Sequence, residues 1–231
     1  MNHSVHEEAE GMFAMGEETI ALTLKEKLLF EQGVSFGTRD VPELVNISKD
    51  DTHAWPAVAR RMYPSAVNAP MESIVTPFVK NSLAISNHLI GVLTDKLGLP
   101  AGTLASLHKV EGFSGCTARF TVFGSLSFPH NRLSGLQVLP PGSDQWFYIK
   151  PLPGDAICNI GDAFNISSGG ILRSNIHRVV PPPREQAQYE RHSVVFFTRP
   201  NDTVELRALS AESERISAAV ANAPPGKYTP A

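Results

Sequence analysis

Three residues near the end of this chain have the types and spacing to do chemistry: His177, Arg191 and Ser193. His177 lies in SNIHRVV (174–180), and Arg191 and Ser193 stand two apart in RHSVVFFTRP (191–200). An imidazole offers a lone pair to a metal ion. A guanidinium fork suits a carboxylate, and a hydroxyl adds a directed hydrogen bond. Taken singly, each has a plain alternative. A lone histidine on a strand is more often structural than a ligand, and Arg191 alone reads equally well as a surface strand residue. His53, His88, His108 and His192 have no ligand-like spacing, and His88 and His108 read as packing or surface residues of helices. Cys158 reads as a small core residue.

The elements that must position these residues divide the chain in two. The first half reads helical. Thr23-Leu24-Lys25-Glu26 is a capping-box pattern, and LKEKLLFEQG stops at Gly33. Pro70 before Met71-Glu72 predicts a helix from Met71 to Leu97, with Phe78, Ile85, Leu89, Val92 and Leu93 recurring on one buried face. Thr103 is expected to cap a short helix through Leu107. The loop region 38–64, rich in Pro and Asp, suggests no element. The second half consists of short β-branched or aromatic runs: LQVL, WFYIKP, DAICNIGD, SNIHRVV, RHSVVFFTRP and DTVELRAL. Gly and Pro punctuate them, as in a β-sandwich or barrel. Ser210 is expected to cap a last helix, AESERISAAVA. The reading is α+β in one structural domain: a mainly helical portion over 1–110, a β-rich portion over 111–209, and a helix and tail over 210–231.

Composition sets the outer bounds. The chain has 231 residues, 42% hydrophobic and 19% charged, which fits a globular domain able to bury a core. A net charge of −3 argues against nucleic acid as a partner. No run approaches the ~20 apolar residues of a membrane span, and MNHSVHEEAEG is not a secretory signal. The two cysteines, Cys116 and Cys158, are too few for a disulfide framework. The cytoplasm is therefore the expected compartment.

The order of motifs from Gly135 onward resembles the isopenicillin-N-synthase-like branch of the Fe(II)- and 2-oxoglutarate-dependent oxygenases. That family reads G-D, S-N-G, S-x-x-H-R-V and then R-x-S ahead of an aromatic strand. Here the matching residues are Gly161-Asp162, Ser168-Gly169-Gly170, Ser174 with His177-Arg178-Val179, and Arg191-His192-Ser193. GLQVLPPGSDQWFYIKPLPG (135–154) matches the family's G-L-Q-V and W-x-x-V-x-P-x-P-G. FEQGVSFG and KLGLP resemble the helical portion of fungal members. The resemblance implies a jelly-roll, the double-stranded β-helix, preceded by packed helices. It implies Fe(II) and 2-oxoglutarate as cofactors, His177 as the distal imidazole ligand of the iron, and Arg191 and Ser193 as the clamp on the far carboxylate of 2-oxoglutarate. Non-haem iron in such enzymes is held by two imidazoles and a carboxylate on one face, which leaves positions open for co-substrate and dioxygen.

One stretch departs from the family. Members read H-T-D-F-G-S-L-S-F where this chain has FTVFGSLSF (120–128), so Phe120 falls on the His and Val122 on the Asp. Neither side chain has a lone pair to give. If each ligand is worth ~3 kcal/mol, losing two of three weakens iron binding by about 6 kcal/mol, on the order of 10⁴-fold. His130, close to the altered stretch, is the candidate for a substitute ligand. Fungal relatives also carry an extra segment between the phrase resembling FSGCTAR and the H-x-D strand. Its loss here, together with short ends, suggests a jelly-roll that is incomplete. A natural deletion and a mis-predicted intron both fit. Exposed strand edges are then expected, with poor solubility or a homodimer through the edge; a monodisperse, high-melting monomer would count against this. The functions implied are an oxygenase acting on a small molecule by hydroxylation, desaturation or ring closure, as in secondary metabolism. The alternatives are an inactive relative that binds a small carboxylate or a partner protein, and a non-oxidative cyclase or isomerase.

Overall fold

In the computed structural model, residues 5–30, 43–123, 135–152, 154–181, 185, 191–224 and 227–228 are described. The helices begin earlier than the sequence suggests. Helix α1 spans Val5–Ile20 and buries Met12 and Met15. Helix α2 (Leu24–Leu28) carries the expected capping box: Thr23 accepts from the Glu26 amide, and the Thr23 amide donates to Glu26 Oε2 at 2.9 Å. Gly33, the expected stop, lies outside the described residues.

The region without an assignment folds into strand β1 (Glu43–Ser48) and helix α3 (Lys49–Ala54), capped by Ser48. Helix α4 (Ser65–Asn68) follows, then a π-helical turn over Met71–Val75, then helix α5 (Thr76–Lys96). The expected helix is therefore present, but its buried face is different. Phe78, Val79, Leu83 and Ile90 are buried, whereas Leu89 and Val92 are 40% and 44% exposed. Helix α6 (Thr103–Ser106) is preceded by Gly102 at φ 82°, so the cap position belongs to Gly102 and Thr103 turns its hydroxyl back to the Pro100 carbonyl. Among the described residues no helix is long and apolar enough to cross a membrane.

The strands form two antiparallel sheets. In the first, β2 (Thr117–Phe123) lies between β1 and β6 (Arg191–Phe197). In the second, β3 (Leu136–Leu139) lies between β4 (Phe147–Tyr148) and β5 (Ile176–Val179). Among the described residues these six strands do not close into a double-stranded β-helix. DAICNIGD and DTVELRAL are not strands. The first is an irregular, mostly exposed lead into helix α7 (Asp162–Ser167), and Cys158 within it is exposed rather than part of a core. Helix α8 (Glu214–Ala221) starts later than expected. Ser213 caps it, accepting from the Ile216 amide, so Ser210 is not the cap.

Two apolar clusters hold this arrangement. The first joins α1, β1, α4, the π turn and the start of α5 to Ala118 of β2. The second joins the end of α5 and α6 to Leu209 and Ile216, with Phe164 and Leu172 at its margin. Neither cluster draws a buried side chain from the second sheet, where Phe147 and Ile176 remain 50% and 65% exposed.

Candidate functional site

Phe120 decides what the first sheet can do. Directly opposed residues in an antiparallel ladder share a face. Phe120 is opposed to Val45 and Val194, so it points with them toward α1 and the first apolar cluster. It is 1% exposed. The Phe13 ring meets it edge-on at 6.1 Å, and the His192 ring at 5.4 Å. Gly16 of α1 lies directly on the ring: a Cβ built there would sit 2.2 Å from Phe120 Cγ. His192 in turn places Nδ1 3.1 Å from Glu17 Oε1, which ties the same face of the sheet's edge to the same helix. The position matched to the family's metal-binding His is thus packed apolar core.

Arg191 and Ser193 alternate with His192 along β6, so they point to the other side of that strand. Ser193 is opposed to Thr121. Arg191 is largely buried, and burial lowers the pKa of its guanidinium. Its stem runs over Gly135, where a Cβ would come within 3.0 Å of Arg191 Cδ and 2.7 Å of the Val180 carbonyl oxygen. Gly135 has φ 141°, and its carbonyl accepts from the Val180 amide, so this glycine lets Arg191 reach the base of the second sheet.

His177 lies on that second sheet, opposed to Val138. It is exposed, and its Nδ1 lies 3.1 Å from the Asn175 carbonyl oxygen. Its neighbour Arg178 is a packing residue here, stacked 4.1 Å over Trp146 with Nε donating to Gln137 Oε1. The structure therefore brings Arg191 and Ser193 together and leaves His177 on a different sheet from Phe120 and Val122. His130 lies outside the described residues.

The described residues do not fit a resident iron. Phe120 and Val122 cannot donate, and among the described residues no group of three His, Cys, Asp or Glu side chains could hold a metal ion. Other histidines have other partners. His108 stacks on Phe164 at 5.6 Å, and burial lowers its pKa. His53 Nδ1 lies 2.9 Å from the Lys49 carbonyl oxygen. Sequence reasoning missed the roles of Gly16 and His192, because both depend on helix α1. It also missed why Gly169 and Gly170 are glycines. Both have positive φ; a Cβ on Gly169 would lie 2.7 Å from Val220 Cγ2, and one on Gly170 2.6 Å from the Tyr228 hydroxyl. The pair seats α8 and the C-terminal stretch.

Comparison with known proteins agrees with the motif order. The family model described as the 2OG-Fe(II) oxygenase superfamily matches residues 116–200. A 2-oxoglutarate-dependent dioxygenase of Aspergillus fumigatus is 27% identical over 186 residues, which cover 64% of this chain and 48% of that protein. The 2-oxoglutarate-dependent dioxygenase iboH of Amanita muscaria is 35% identical over 103 residues, covering 42% of this chain and 50% of that protein. The chain spans about half the length of these curated relatives. Among solved structures, a full-length Neurospora crassa protein in complex with alpha-KG and 5-formyluracil superposes with a TM-score of 0.72 at 17% identity, covering 100% of this chain and 78% of that one. The dioxygenase for auxin oxidation 1 from Arabidopsis thaliana, as a 2-oxoglutarate complex, gives 0.60 at 18% identity, covering 91% and 85%. At these identities the structural likeness speaks to the fold alone.

Proposed function

We propose that the protein, whose residues 116–200 match the 2OG-Fe(II) oxygenase superfamily, is an oxygenase-like relative that keeps that family's carboxylate-binding strand without assembling the iron centre. The family's cofactors are Fe(II) and 2-oxoglutarate. The observation that carries the proposal is Phe120, buried beneath Gly16 at the position where an imidazole would have to meet iron. Val122 adds a second position without a lone pair. Arg191 and Ser193, on one side of β6, supply a guanidinium and a hydroxyl suited to the far carboxylate of 2-oxoglutarate or of a similar small acid. What these residues do is bind and orient such an acid. Burial of Arg191 strengthens that contact, because charge–charge attraction is weakly screened away from water.

A second reading rests on the length comparison. The chain spans about half of its curated relatives, and a longer protein would have room for the segment that completes the site. His177 would then be one of three ligands, and the activity would be hydroxylation, desaturation or ring closure on a small molecule.

Anaerobic titration with Fe(II) and 2-oxoglutarate separates the two. The first reading expects no visible charge-transfer band from the folded chain, while 2-oxoglutarate alone still binds and Arg191→Gln weakens it. It also expects no band from the Phe120→His/Val122→Asp variant, because His177 lies on the other sheet. A saturating band from the unaltered chain would overturn it.

A further inference from the structure

A cleft of about 530 Å³ lies at one end of the second sheet. Three stretches wall it: the turn after β3, the segment from α7 to the start of β5, and the C-terminal stretch around Tyr228. Leu139 and Ile176, directly paired across β3 and β5, contribute apolar side chains from one face of the sheet. His177, next along β5, points to the opposite face. Among the described residues that line the cleft none belongs to β6, so it is separate from the strand that carries Arg191 and Ser193.

Its charge is one-sided. Arg173 and Lys227 line it, and among the described residues no Asp or Glu does. Among the described residues neither cation has a carboxylate partner. The chain as a whole has a net charge of −3, so the cleft inverts the sign of the molecule locally, and a concave wall of one sign focuses field on what enters it. The third wall is fixed in place. Tyr228 rests on Gly170, which has φ 87° and no Cβ to obstruct it, and its hydroxyl donates to Asn165 Oδ1 at 3.4 Å. The Lys227 Nζ stands 5.4 Å from the Tyr228 ring centre, so the lysine is held by the same contact.

From two cations without an acid, set beside Leu139, Ile176 and the Tyr228 ring, we infer that this cleft binds a small organic anion: a carboxylate held by Arg173 and Lys227, with an apolar body on the paired leucine and isoleucine. The volume falls in the ordinary range of small-molecule sites, roughly 300–1,000 Å³. The inference does not depend on iron or on 2-oxoglutarate binding at Arg191.

The test is a titration of the full chain with phenylacetate, followed by NMR at the Gly169 and Gly170 amides. Phenylethanol serves as the uncharged counterpart and inorganic phosphate as the anion without an apolar body. Saturable shifts with phenylacetate, and binding of both controls weaker by roughly tenfold or more, are expected. Arg173→Gln and Lys227→Gln should each weaken phenylacetate by roughly tenfold, the scale of one charge-assisted hydrogen bond. Both residues are exposed, so melting temperatures should not move. Arg191→Gln should leave these shifts intact, which separates this cleft from the proposed site on β6. No saturation, equal binding of phenylethanol, or equal binding of phosphate would each overturn the inference.

Discussion

At the residue scale, Phe120 and Gly16 are one unit. The ring can fill the space above β2 only because the helix that covers it has no side chain at that point. Gly16→Ala adds a methyl where the ring already is, and overpacking of this kind costs about 1–3 kcal/mol. Phe120→Ala removes a fully buried ring, at about 3–5 kcal/mol. The two changes should not add: in the Phe120→Ala background the extra methyl meets a cavity instead of a ring. A double-mutant cycle in denaturant is expected to give a coupling of ~1 kcal/mol or more, with Gly16→Ala less costly once the ring is gone. Strict additivity would mean that α1 does not press on Phe120 in solution. The identity of Phe120, and the chemistry it forbids, were legible in the sequence. Its partner was not, because Gly16 comes from a helix far earlier in the chain, and contact between distant elements leaves no local mark.

At the element scale, α5 illustrates what periodicity can and cannot decide. Its existence followed from Pro70 and the apolar repeat, but its orientation did not. The helix carries apolar residues on two adjoining faces, Val79-Leu83-Ile90 and Ile85-Leu89-Val92, and Phe78 borders both. Either face satisfies the 3.6-residue repeat, so the choice is made by what packs against it, namely both apolar clusters in succession. Ile90→Ala is therefore expected to cost about 2–5 kcal/mol, while Leu89→Lys, on the 40% exposed side, should stay within about 0.5 kcal/mol. Urea midpoints of the two variants measure this directly, and a larger loss for Leu89→Lys would restore the face inferred from sequence. The same limit explains β1 and α3, where a short edge strand and a short helix leave too few repeats to count. It also explains DTVELRAL, whose alternation has no neighbouring strand to pair with among the described residues. The site strand was legible because Arg191, Ser193 and the aromatic run all lie within one short strand. The placement of His177 on a separate sheet was not, because pairing between distant strands leaves no local mark.

At the scale of the whole molecule, a buried charge network joins the N-terminal layer to residues on either side of the segment 116–200 that the family model matches. Lys49, 2% exposed, donates to the carbonyls of Val110 and Gly112 at 2.8 and 2.6 Å and lies 3.0 Å from Asp50 Oδ1. Asp50 also receives Arg60 Nε and the Ser114 amide, and Arg60 continues to Asp202 at 2.6 Å. Asp51 beside it accepts the Tyr63 hydroxyl at 2.7 Å and the Arg60 amide at 2.6 Å. Separated parts of the chain thus meet at Asp50. Desolvation pushes its carboxyl upward, but the hydrogen bonds from Arg60, Lys49 and Ser114 outweigh that, and the net pKa is lowered. A carboxyl with a depressed folded pKa adds stability above its unfolded value, near ~4, and loses it as pH falls through the lower folded value. Asp50→Asn keeps the shape but strands Lys49 among neutral groups, which should cost about 3–5 kcal/mol at neutral pH. The same variant should lose its share of the acid sensitivity: as pH falls below about 4 and on through the lower folded value, the stability of the unaltered chain falls more steeply, and the two curves converge once Asp50 is protonated in the folded chain. Denaturant midpoints across that range supply the measurement. Parallel curves would show that the network titrates elsewhere and that Asp50 is not where the two halves of the molecule are joined.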